Sequence, residues 1–113
     1  MGETFLKQGQ YEEAIKNYSV TLQRNPQHAG ALVGVGTAYF KQKLYSTAVV
    51  PLRKAVEADP GYSAGHYYLG LTLARLGDTE GSHRELETAT ALAEKENKQG
   101  ASRLQLLNPE GHP

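Results

Sequence analysis

The sequence predicts an all-α fold, a short solenoid of antiparallel helical hairpins. Three observations carry that expectation. The chain repeats itself at an interval of 34 residues, and apolar residues recur with helical spacing inside each interval. The helical stretches are also separated by turns too short for anything but a reversal of direction. Under the shift, Gly2, Gly36 and Gly70 coincide, as do Phe5, Tyr39 and Leu73, and Tyr18, Leu52 and Leu86. Tyr11 falls on Tyr45, Ala14 on Ala48, and Asn25-Pro26 on Asp59-Pro60. A fixed period of about 20–50 residues marks stacked units, none of which can bury its apolar face alone.

The elements follow in order. The first unit is cut short: Gly2 to Lys7 reads as the end of a helix whose opening turns are missing. Tyr11–Arg24 reads as its intact second helix, stopped by Asn25-Pro26. In Ala29–Lys43, Leu32, Val35, Gly36 and Tyr39 share one helical face. Tyr45, Ala48, Val49, Leu52, Ala55 and Val56 make the matching face of Tyr45–Ala58. Asp59-Pro60-Gly61 ends that helix, because proline lacks an N–H and disfavours helix in the residue before it. Gly36 and Ala48 are expected at helix crossings, where axes about 8–10 Å apart leave no room for a large side chain. Beyond the third unit, Gly100 is expected to interrupt the helix, leaving Ser102–Leu107 as a short capping helix or docking tail. The closing Glu110-Gly111-His112-Pro113 is expected to be disordered.

Composition removes several function classes. Twelve basic residues balance twelve acidic ones, which leaves no excess charge to hold a nucleic-acid backbone. No cysteine is present, so disulfides, thiolate metal sites and cysteine nucleophiles are absent together. Apolar runs are far shorter than the ~18 residues of a membrane span. The first residues lack the basic start and apolar stretch of a signal peptide. A soluble chain with no nucleic-acid or membrane partner is expected, and the compartment stays open, the cytoplasm being slightly favoured.

Catalytic constellations are not legible either. His28, His66, His83 and His112 show no metal-ligand spacing, and His83 with Glu87 reads as a surface hydrogen bond on one helix. His66, beside Tyr67-Tyr68, reads as a packing residue. The glycines of Gly30–Gly36 lie inside a helical pattern, with no preceding strand and no terminal Lys-Ser/Thr to make a phosphate loop. Ser46, Ser63 and Ser82 have no glycine elbow and no evident base–acid pair in phase with them. Neither an enzyme activity nor a cofactor or metal is expected.

The repeated residues resemble the tetratricopeptide repeat, whose 34-residue pattern sets Leu-Gly, Tyr, Ala, Phe and Pro at fixed places. Residues 29–62 match with Leu32, Val35-Gly36, Tyr39, Tyr45, Ala48, Leu52, Ala55 and Pro60. Residues 63–96 match with Leu69-Gly70, Leu73, Gly77, Leu86 and Ala89, but depart at Ser82, at Glu94 and at His66, where alanine, proline and tryptophan are usual. The missing proline suggests a last helix that runs on to about Gln99. The resemblance implies about two and a half units in a right-handed superhelix. It divides the chain into a truncated repeat (1–28), a full repeat (29–62), a degenerate repeat (63–96) and a capping segment with its tail (97–113).

The resemblance also implies a concave groove lined by each unit's first helix. By the family's phase it would present Gly30, Val33, Gly34, Thr37, Phe40 and Lys41, then Ala64, Tyr67, Tyr68, Leu71, Ala74 and Arg75, with Glu3, Leu6 and Lys7 from the first unit. The basic and asparagine clamp of chaperone-binding members is absent from the positions that can be checked: Glu3, Gly34, Ala64 and Tyr68 stand there. Partner contact is therefore expected from Val33, Thr37, Phe40, Lys41, Tyr67, Tyr68, Leu71 and Arg75, with Tyr68 equally suited to packing between units. Such a surface suits a peptide or amphipathic helix with an acidic or polar flank. The expected function is a non-catalytic protein-interaction scaffold. The alternative is an accessory segment of a larger enzyme or secretion and assembly protein, which the mid-helix start favours. Self-association through under-covered terminal repeats is a further expectation.

Overall fold

The computed structural model describes the backbone of residues 2–107 and the side chains of residues 8–97. Expectations resting on the side chains of Glu3, Leu6, Lys7, Leu104, Leu106 and Leu107, or on the closing Glu110–Pro113, lie outside that range. The described residues form five α-helices and no strand: α1 (Gly2–Arg24), α2 (Ala29–Lys41), α3 (Tyr45–Ala58), α4 (Ser63–Arg75) and α5 (Thr79–Leu107). Successive helices pack on one another, and α2 also touches α4. The result is an all-α solenoid.

The core runs through the middle of the stack: Leu32, Val33, Ala48, Leu52, Ala55, Leu69 and Leu73. Small residues stand at the crossings, as the repeat requires. A Cβ on Gly36 would lie 2.5 Å from Leu52 Cγ, and one on Gly70 would lie 2.7 Å from Leu86 Cγ. Each glycine lets a leucine of the partner helix settle against backbone, so the two axes approach closely. Local hydrogen bonds start the helices. His28 Nδ1 accepts from the Ala31 N–H (3.0 Å) at the head of α2, and Asp78 Oδ1 accepts from the Gly81 N–H (2.9 Å) at the head of α5. Pro51 lies inside α3, where it lacks the N–H that would bond the Thr47 carbonyl; the helix continues through it.

Both hairpin turns end their first helix in the same way. Lys43 and Gly77, 34 residues apart, take left-handed φ values of 66° and 89°. Beyond them the Leu44 N–H bonds the Tyr39 carbonyl (3.0 Å) and the Asp78 N–H bonds the Leu73 carbonyl (2.9 Å). This is the C-terminal cap that glycine favours. Lys43 adopts it against the cost of its Cβ, about 1–2 kcal/mol. Lys43→Gly is expected to stabilise the fold by about 0.5–1 kcal/mol, the Cβ relief exceeding the extra entropy of an unfolded glycine. Urea denaturation would read this as a higher midpoint at unchanged slope.

Two expectations fail at the ends. A turn was expected between a truncated first helix and Tyr11, yet α1 is one helix through Gly9, which sits 34 residues before Lys43 and takes no left-handed φ. Glycine permits a turn without imposing one, and here the helical hydrogen bonding runs on through it. At the other end α5 passes through Gly100 to Leu107. A mid-helix glycine costs only about 1 kcal/mol, which a long helix absorbs when no proline follows at once.

Equivalent positions of the first two units differ in exposure. Tyr18 is 37% exposed, whereas Leu52, its counterpart one repeat later, is fully buried. The Tyr18 ring lies against α2 at Gly34.

Candidate functional site

The face shared by α2 and α4 carries most of the residues expected to meet a partner. Four aromatic rings form one connected set there. Phe40 meets Tyr45 edge-on with centroids 5.4 Å apart and meets Tyr68 at 6.4 Å, and Tyr68 meets Tyr67 at 5.2 Å. The repeat explains the convergence: α2 and α4 run side by side, and the turn before α3 brings Tyr45 under Phe40. Edge-to-face pairs of this kind hold each other's orientation beyond what buried area alone provides.

The rings differ in how open they are. Phe40 and Tyr68 are half-buried against the core, while Tyr67 is 47% exposed. Leu71 is half-buried one turn further along α4. Lys41 and Arg75 are exposed in the last turns of α2 and α4, where a cation also favours the helix dipole. The Arg75 guanidinium stands 5.9 Å from the Tyr45 ring centroid, so the cationic end of the face is stacked in place. The arrangement offers an apolar, aromatic surface closed at one end by two cations.

Three expected positions are placed otherwise. Val33 is only 6% exposed and belongs to the core, covered by α4 at Gly65. Gly34 lies beneath Tyr18, which takes it out of any open surface. Thr37 is half-buried, and its Oγ1 is shut off from solvent with no protein partner; nothing in the structure explains it. Tyr45 joins the aromatic set although its spacing assigned it to the α3 core face. Its proximity to Phe40 across a tight turn was the signal that could have found it.

His66 has a packing role, and its partners were not foreseen. It is 6% exposed; its Nε2–H donates to the Pro60 carbonyl (2.7 Å), and Nδ1 is hydrogen-bonded to Glu85 Oε2 at 2.6 Å. The imidazole thus ties the α3–α4 turn and α4 to α5. His83 and Glu87 meet at 3.1 Å on the exposed face of α5, the surface contact expected of them. Among the described residues no three metal-ligating side chains converge, and no described helix is long and apolar enough to cross a membrane.

A profile of the tetratricopeptide repeat matches residues 1–63, more than half of the chain. The chain belongs to the tetratricopeptide-repeat family. Among curated proteins it is 31% identical over 84 residues to serine/threonine-protein phosphatase 5 of Homo sapiens, covering 74% of this chain and 17% of that protein. It is 26% identical over 109 residues to RNA polymerase II-associated protein 3 of Xenopus tropicalis, covering 96% of this chain and 16% of that protein. This tetratricopeptide-repeat chain therefore spans about a sixth of the length of those relatives. Among solved structures it resembles the second TPR of Spaghetti (RPAP3) bound to the HSP90 peptide SRMEEVD. That match has a TM-score of 0.71 and 27% identity, and covers 80% of this chain and 84% of that one.

Proposed function

We propose that this tetratricopeptide-repeat chain is a non-catalytic scaffold that binds a peptide or short amphipathic segment on the concave face of α2 and α4. The observation that carries the reading is the joined aromatic set, Phe40, Tyr45, Tyr67 and Tyr68, ending at Lys41 and Arg75. A ligand with aromatic or branched anchors lies over Phe40, Tyr67 and Leu71, and an acidic flank meets the two cations. The similar RPAP3 domain is bound to an acidic peptide, which supports peptide binding as the general mode. The mode of capture differs, because Gly34, Ala64 and Tyr68 occupy clamp positions in this chain and none can neutralise a carboxylate. Activity of a longer parent protein would lie outside this segment.

Peptides selected from a random display library against the whole chain test the reading. Selected sequences are expected to pair apolar anchors with an acidic residue. Phe40→Ala and Tyr67→Ala should each weaken their binding about tenfold or more, the loss of an aromatic anchor, with the helical circular dichroism signal retained. The peptide SRMEEVD should not bind measurably by calorimetry. Micromolar binding of that peptide, or loss of helicity in both variants, would overturn the assignment.

A further inference from the structure

A second surface lies at the α4–α5 end of the stack, where Ser63, Ala64, Tyr67, Ala89, Thr90 and Ala93 line a groove of about 360 Å³. Its meaning comes from the repeat. One unit earlier, the positions equivalent to Tyr67, Ala89 and Thr90 are Val33, Ala55 and Val56. Those three residues are what α4 packs on: a Cβ at Gly65 would lie 3.5 Å from Val56 Cγ2, 3.8 Å from Ala55 Cβ and 3.8 Å from Val33 Cγ2. The chain thus shows what fills such a slot, namely a helix crossing with a small residue over the alanine. At the end of the stack the same slot is open.

We propose that this slot takes an amphipathic helix of a partner protein, seated by a glycine or alanine over Ala89. The lining sets the chemistry of that helix. None of the lining side chains is charged, so the contacting face is apolar. Where the internal slot has Val33 and Val56, the open one has Tyr67 and Thr90, side chains with an apolar body and a hydroxyl that water or a partner can satisfy. Such a lining tolerates an occupant that comes and goes, which a permanently covered valine pair does not require. A second copy of this chain is a poor occupant. Its helices with a small crossing residue, α2 at Ala31 and α4 at Gly65, already have those residues buried. The slot borders the proposed peptide site at Tyr67 and Tyr68 but does not depend on Phe40, Lys41 or Arg75.

The probe is a synthetic peptide with the sequence of residues 62–76, the helix that fills the internal slot. It is held helical by a cross-link between positions 67 and 74, which are exposed on α4. Fluorescence anisotropy with the whole chain should show saturable binding. Thr90→Arg and Ala93→Arg, at an exposed and a half-exposed slot position, should each weaken it about tenfold or more. Of the two glycines in the peptide, replacing the one at position 65 by leucine should abolish binding, because the crossing no longer closes. Phe40→Ala should leave this binding unchanged while weakening the display-selected peptides, so each site can fail alone. No binding of the cross-linked peptide, or binding indifferent to Thr90→Arg and to the leucine, would overturn the proposal. A dimer seen by light scattering that Thr90→Arg dissociates would overturn it in favour of a second copy.

Discussion

Ala48→Glu is expected to unfold the protein. Ala48 is fully buried where α3 crosses α2, surrounded by the core of Leu32, Leu52, Leu69 and Leu73. A glutamate there adds four heavy atoms beyond Cβ to a packed crossing and brings a carboxylate with no partner. Overpacking of this kind costs about 1–3 kcal/mol, and an unpaired buried charge costs several more unless the helices separate. A domain of this size has roughly 5–15 kcal/mol of stability in total. Far-UV circular dichroism should show most of the helical signal lost at 25 °C. Val50→Glu, on the exposed side of the same helix, should keep a cooperative melt close to that of the parent. A normal melt for Ala48→Glu would mean that the helix pair is not packed as described.

His66→Ala should have the next largest effect on stability. The imidazole fills a buried space and bonds groups from two other segments, the Pro60 carbonyl and the Glu85 carboxyl. Alanine leaves a cavity, an unpaired carbonyl and a carboxylate facing the hole. The Glu85 side chain remains 25% exposed, so water recovers part of its loss. The expected cost is about 2–4 kcal/mol, from the cavity and one unsatisfied buried acceptor. Urea denaturation of His66→Ala, Glu85→Ala and the double variant should give a coupling of about 0.5–3 kcal/mol between the two residues. Strictly additive losses would show that the 2.6 Å contact contributes nothing of its own.

The candidate site was legible to the extent that it follows the repeat. Phe40, Lys41, Tyr67, Leu71 and Arg75 were assigned to one face by phase, and the structure places Phe40, Tyr67 and Arg75 within one connected cluster with Tyr45 and Tyr68. Val33 was misplaced for a reason the repeat itself contains. It occupies the same position as Tyr67, but a further helix covers it, and phase alone does not say which units have a neighbour above them.

What the sequence by itself determined is the helical pairing: where α2 and α3 begin, which faces they bury, and that Gly36 and Ala48 stand at crossings. Those properties are local and periodic, set by a spacing of 3.6 residues per turn and by proline-bearing turns. Only the tertiary structure decided whether Gly9 and Gly100 break a helix. Glycine permits a turn without imposing one, and the outcome depends on whether the segment beyond it finds a surface to pack on. The same holds for Tyr18 over Gly34 and for His66 with Glu85, 19 positions apart in the chain. Periodicity names the face a side chain is on; the group it meets there is settled only when the helices stack.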